Sequence, residues 1–135
     1  MGDAVEIVPG LYQSGTPGAV DADVVVCLQL QPPRYLPDEP RAEQFVSVWW
    51  PIHDGPVPDG ATVRSLAALL ARFLEERRRV LVHCAGGNNR SGLVVARTLI
   101  ELGQAPSDAI ATVRRAIPTA LNNREFERWL LSEGG

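Results

Sequence analysis

Apolar residues recur along this chain in two rhythms. One is the short unbroken run. "VEIVPGLYQSG" reads as two strands around a Pro9-Gly10 turn. "DADVVVCLQL" is a continuous β-branched run, the pattern of a strand buried on both faces. "EQFVSVWWPI" and Val80 to His83 predict two more strands. The other rhythm is helical. From Thr62 to about Arg78, Val63, Leu66, Leu69, Leu70, Phe73 and Leu74 fall on one side of a helix, with Asp59 placed to cap it. Ser91 to about Leu102 predicts a second helix, ended by Gly103. Ser107 is placed to cap a third, reaching about Ala116, and Asn122 or Asn123 a fourth, running through Trp129 and Leu131.

Strands that alternate with helices predict an α/β fold with a mainly parallel central sheet flanked by helices. "QPPRYLPDEPR" and "HDGPVPDG" are proline-rich loops between elements, not linkers between domains, so residues 1–135 form one expected domain. In such sheets ligands sit beyond the carboxyl ends of the strands. Trp49 and Trp50 adjoin the second of these loops, and strand alternation sends one to the core and the other to solvent. "EERRR", Glu75 to Arg79, reads as a solvated helix end.

Charge narrows the partners. The chain has a formal net charge of −3 and a sequence pI of about 5.3, which gives no basic footprint for nucleic acid or an acidic membrane surface. All 13 basic residues are arginine, a bias we ascribe to genome composition. Two cysteines make no disulfide framework, and no Cys/His cluster has zinc-ligand spacing. "MGDAVEIVPG" shows no signal peptide and no run reaches a membrane span's length. The expectation is a cytoplasmic monomer that needs no metal and no cofactor.

The chemistry concentrates in "VLVHCAGGNNRSGLVVA". A strand stops at His83-Cys84, five small or amide residues follow, and a helix begins near Arg90-Ser91. A strand, a glycine-containing loop and a helix start make an anion site, because curled backbone N–H groups and the helix N-terminus both point positive charge at one spot. Gly86 and Gly87 accept positive φ freely, and Asn88 and Asn89 are the best tolerated alternatives. Ala85 to Arg90 would supply the N–H groups. The Arg90 guanidinium offers a planar fork for two phosphate oxygens. A thiol at the base of such a nest is held in a field that favours the thiolate. Cys84 then lies beneath a bound phosphate as an in-line nucleophile. Ser91 can donate a hydrogen bond to the sulfur and ease its departure.

This Cys-x5-Arg-Ser pattern resembles the cysteine-based protein tyrosine phosphatase superfamily, and within it the dual-specificity branch. "VEIVPGLYQSG" is similar to the family's N-terminal strand pair. "WWPIHDGPVPDG" resembles the Pro-Ile-x-Asp-Gly acid loop of the cyclin-dependent-kinase-associated phosphatase group. The likeness runs from about Glu6 to Trp129. The loop departs from the commoner Gly-x-Gly-Arg or Gly-x-Ser-Arg ending, reading Gly-Asn-Asn-Arg. The resemblance implies hydrolysis of phosphotyrosine, and of phosphoserine and phosphothreonine, in phosphoprotein substrates. His83 is expected to hydrogen-bond backbone near the loop and so tune the thiol. Cys27, in a strand beside the one that delivers Cys84, would be a redox partner for it, as some relatives have.

Ester cleavage needs a proton for the leaving oxygen. Asp54, within Pro-Ile-x-Asp-Gly, is the expected acid; Asp59 is accounted for by capping. His53 reads as an exposed loop residue, and Asn122 and Asn123 as caps that could also position water or phosphate. A phosphoinositide phosphatase would share these residues, but the loop here is neutral from Ala85 to Asn89. A rhodanese-like sulfurtransferase would need neither Asp54 nor Ser91. A non-catalytic phosphopeptide-binding module would have no use for Cys84 and Asp54 together.

Overall fold

The computed structural model describes residues 4–18, 20–35 and 44–133. Nine elements follow in chain order: β1 (Val5–Val8), β2 (Leu11–Ser14), β3 (Val24–Cys27), β4 (Val46–Trp49), α1 (Gly60–Glu75), β5 (Val80–His83), α2 (Arg90–Glu101), α3 (Pro106–Ala116) and α4 (Arg124–Ser132). The five strands form one sheet in the order β1-β2-β5-β3-β4. β2 with β5, β5 with β3 and β3 with β4 are parallel; only the β1–β2 hairpin is antiparallel. β5 is therefore central, between β2 and β3, and the residue after its end emerges in the middle of the sheet's carboxyl edge.

Alternation divides the sheet into two faces. Val24, Val26, Val80, Val82 and Cys84 face the main core with buried residues from all four helices, among them Leu70, Leu93, Val113 and Phe126. The opposite face carries Val25 and Leu81, covered by Tyr12, Tyr35 and Phe45. Both sets are buried completely, as the β-branched run predicts. The helices thus gather on one side of the sheet, and α2 is the innermost, with Ser91 to Ala96 all buried.

Helix ends obey local chemistry with three departures from the pattern. Asp59 does cap α1, accepting from Ala61 N at 3.2 Å and from Thr62 Oγ1 at 2.8 Å. Gly103, at φ +108°, closes α2, with Gln104 N donating to Leu99 O at 3.0 Å. Ser107 does not cap α3: the cap is Ala105, and Pro106 opens the helix, where its missing N–H costs nothing. Leu69 is 42 % exposed, because α1 buries a narrower stripe than its apolar content suggests. Nor is "EERRR" wholly solvated. α1 stops at Glu75, and Arg79 turns back to pair with Asp21 at 3.2 Å while its N–H donates to Asp23 at 2.8 Å. Trp49 faces outward at 45 % exposure and Trp50 packs on the core, as alternation requires. Part of the "QPPRYLPDEPR" loop lies outside the described residues.

Candidate active site

Cys84 leaves β5 at the sheet's carboxyl edge, its N–H donating to Ser14 O at 3.3 Å. The chain then curls back over the thiol. Gly87, at φ +76°, makes the return, and its N–H donates to Cys84 Sγ at 3.2 Å. No other residue fits there: a Cβ would stand 2.6 Å from Gly15 N and 2.8 Å from Ser14 C. Gly15 has a similar constraint, since a Cβ would meet Ala85 O at 2.9 Å. Gln13, fully buried, braces the turn by donating from Nε2 to Gly87 O at 2.9 Å. The end of β2 is thus the mould against which the loop is cast. Ala85 and Gly86 remain exposed at its rim.

α2 begins at Arg90 and buries Ser91, whose Oγ lies 3.3 Å from Cys84 Sγ. When the sulfur is a thiolate, the hydroxyl is necessarily the donor of that pair. Arg90 starts the helix and donates from one terminal nitrogen to Ile52 O at 3.0 Å. That bond ties Arg90 to the loop that carries Asp54.

The two asparagines of the loop turn their side chains outward. Asn88 Oδ1 accepts from Thr119 Oγ1 at 2.9 Å. Asn89 Nδ2 donates to Asp54 Oδ2 at 2.9 Å and to Asn122 Oδ1 at 2.7 Å, and its Oδ1 accepts from Asn123 N at 3.0 Å. Asn123 Nδ2 donates to Asp54 Oδ1 at 2.7 Å and to Gly55 O at 2.9 Å. One oxygen of the Asp54 carboxylate therefore rests on each amide. Asn123 also caps α4 through Glu125 N and Phe126 N at 3.0 and 3.2 Å. The cap was legible in sequence; the second duty of the same side chain was not. His53 is exposed. Asp59 spends its carboxylate on α1 and is not drawn into this network.

His83 is fully buried behind the loop, on the opposite face of the sheet from Cys84. Its Nε2 lies 3.0 Å from the Tyr35 hydroxyl and its Nδ1 has no partner among the described residues, so the expected bond to backbone near the loop is not made: the ring points to the sheet face away from Cys84. Burial pushes His83 down to about 4, so the ring is neutral near pH 7. Burial likewise pushes the Tyr35 hydroxyl up, so it keeps its proton. Cys27 is the register partner of His83, and both cysteines are free thiols. Its side chain shares the face of His83, whereas Cys84 packs in the main core. Burial pushes the Cys27 thiol up. Gln13, Gly15 and Tyr35 escaped the sequence reading, because each acts through a contact between segments far apart in the chain.

Comparison with known proteins agrees with this geometry. Residues 33–113 match the Cyclin-dependent kinase inhibitor 3 (CDKN3) family. Mouse protein tyrosine phosphatase type IVA 3 is 37 % identical over 79 residues, covering 57 % of this chain and 46 % of that protein. Mouse dual specificity protein phosphatase 12 is 30 % identical over 138 residues, covering 96 % of this chain and 40 % of its own length. The chain thus spans less than half the length of these relatives. The crystal structure of human DUSP28 shares the fold, with a TM-score of 0.79 at 22 % identity over 95 % of this chain and 93 % of that one. With the family match over residues 33–113, these likenesses place the chain in the cyclin-dependent kinase inhibitor 3 family, within the dual-specificity branch of the cysteine-based protein tyrosine phosphatases.

Proposed function

We propose that this chain is a cysteine-dependent phosphatase domain over residues 1–135, removing phosphate from phosphotyrosine and also from phosphoserine and phosphothreonine in proteins. The observation that carries the reading is the convergence at one sheet edge of a thiol under a backbone N–H and a serine hydroxyl, an arginine at a helix start, and a held carboxylate.

In this reading Cys84 Sγ attacks phosphorus as the thiolate. The ester P–O bond breaks, and Asp54 gives its proton to the leaving oxygen. The N–H groups of Ala85 to Arg90 and the Arg90 guanidinium hold the three equatorial oxygens as charge redistributes. The product of this half is a phosphocysteine. Water then attacks the same phosphorus, Asp54 takes its proton, and the P–S bond breaks. Ser91 O–H donates to the departing sulfur, and orthophosphate leaves. The steps balance with the ester and water alone.

His83, the residue before the nucleophile, is neutral and buried against Tyr35. Cys27 stands in the strand beside it, and a redox role for it would require its thiol to cross to the other face of the sheet. A phosphoprotein substrate suits the neutral loop better than an inositol lipid, which would call for added cations around its extra phosphates. A cytoplasmic monomer remains the expectation, and the acidic pI of about 5.3 supports the part of it that leaves out nucleic acid and an acidic membrane surface as partners. No helix among the described residues is long and apolar enough to cross a membrane. A panel comparing phosphotyrosine peptides, phosphothreonine peptides and phosphoinositides tests the assignment. Peptide turnover well above lipid turnover is expected; the reverse order would make the lipid reading correct.

A further inference from the structure

We propose that Asn89 is a positioning residue for Asp54, fastening the acid to the phosphate loop before substrate arrives. The inference rests on the reading of Asp54 as the proton donor. Three observations carry it. The first is the direct bond, Asn89 Nδ2 to Asp54 Oδ2 at 2.9 Å, set in a network that leaves the amide no slack. The second hydrogen of that nitrogen goes to Asn122 Oδ1 at 2.7 Å, and the oxygen takes Asn123 N at 3.0 Å. Rotation of the side chain would break all three at once.

The second observation is what Asn89 forgoes. It stands at the N-cap of α2, where asparagine ordinarily turns its oxygen onto an N–H of the first turn. Here its backbone sits at φ −92° and ψ −59°, and the side chain makes no capping bond. The first-turn N–H groups are left for an anion, and the amide is spent across the site instead. The third is residue type. Glycine has no side chain, and serine's is too short to reach a carboxylate that the longer asparagine amide meets at 2.9 Å.

The consequence is a preassembled acid. Asn123 holds one carboxylate oxygen from α4, and Asn89 holds the other from the phosphate loop. The reacting phosphate and its proton donor are then fixed to the same seven-residue stretch from Cys84 to Arg90 rather than to two loops that meet by chance. The amide touches neither phosphorus nor the leaving oxygen; it acts through Asp54.

The test is a double-mutant cycle on aryl and alkyl phosphates graded by leaving group. Asn89→Ala and Asn89→Gly are each made alone and with Asp54→Asn; two variants guard against one that folds poorly. For poor leaving groups, each Asn89 variant should lower kcat/KM by about 10- to 100-fold, the scale on which misplacing a catalytic group acts. For leaving groups that need no proton, kcat/KM, which reports the phosphoryl-transfer step and not the later attack of water, should fall far less, and inhibition by orthovanadate should be unchanged. In the Asp54→Asn background, removing Asn89 should cost nothing further, because coupled residues are not additive. Equal loss on every substrate with weakened vanadate binding would make Asn89 part of the cradle and overturn the proposal. So would an undiminished loss in the Asp54→Asn background, or no loss at all. If Asp54→Asn is slow while Asn89→Ala is not, only the positioning role falls. If Asp54→Asn itself is harmless, the acid assignment falls with it.

Discussion

Asn123 donates to Asp54 Oδ1 at 2.7 Å while its own amide oxygen caps α4. One side chain thus joins the last helix to the loop that carries Asp54. Asp59, five residues further along the same loop, is bound to α1 instead. The two aspartates therefore separate kinetically. Asp54→Asn should slow cleavage of poor leaving groups by about 10²- to 10⁴-fold, the reach of general acid catalysis, with less loss as the leaving group improves. Asp59→Asn should leave the rate near wild type, since asparagine caps as well as aspartate. Steady-state kinetics on both variants checks this; a loss that falls on Asp59 would reverse the assignment.

Gly87 is irreplaceable for two reasons, its φ of +76° and the backbone of Ser14 and Gly15 within 3 Å of where a Cβ would stand. Gly87→Ala should lower stability by more than about 1 kcal/mol, the penalty for alanine in a backbone it cannot adopt. It should also cut turnover of every phosphate ester, whatever the leaving group. Thermal unfolding and kcat/KM measure the two effects. A variant with wild-type values in both would mean that the loop does not pack as described.

Glu133 locks the end of α4. It accepts from Arg64 Nε at 2.7 Å and from Arg97 Nε at 2.8 Å, with its side chain 8 % exposed. The Arg64 hydrogen bond, then that of Arg97, hold this carboxyl below its ordinary value of 4.5 against the opposing effect of burial. The unfolded chain therefore takes up the proton first as pH falls. The stabilisation is complete above about 4.5 and is lost as pH drops through the folded value. Urea unfolding of wild type and Glu133→Gln should differ clearly at neutral pH and converge in acid. A constant difference across pH would contradict the ion-pair account.

Cys27 and His83 are register partners, so the Cys27 thiol points to the face opposite Cys84. Mild peroxide should oxidise Cys84 without forming an internal disulfide, and Cys27→Ser should recover with reductant as wild type does. Mass spectrometry decides. A Cys27–Cys84 disulfide, and recovery that depends on Cys27, would show that the strand ends rearrange and would restore the redox role.

Much of this was legible in the sequence, for identifiable reasons. β3 and β5 are unbroken apolar runs, and Cys84, Arg90 and Ser91 lie within one short loop and helix start, so local pattern suffices. Asp59 and Asn123 announce themselves as caps because capping is also local. What escaped is pairwise and distant. Gln13 braces Gly87 from the far end of the chain, and Asn89 reaches Asp54 across two loops. Neither contact leaves a periodicity or a spacing. Ser107 misled for the opposite reason: it is a good capping residue, but Pro106 before it already opens the helix.

The covalent mechanism has its most direct test in Cys84→Ser, assayed for turnover of an aryl phosphate and for binding of orthophosphate in the same preparation. The curled N–H groups and Arg90 survive this substitution, and only the nucleophile is lost. The expected result is no turnover with phosphate still bound, while Arg90→Ala loses both. Turnover near wild type in Cys84→Ser would contradict a phosphocysteine intermediate.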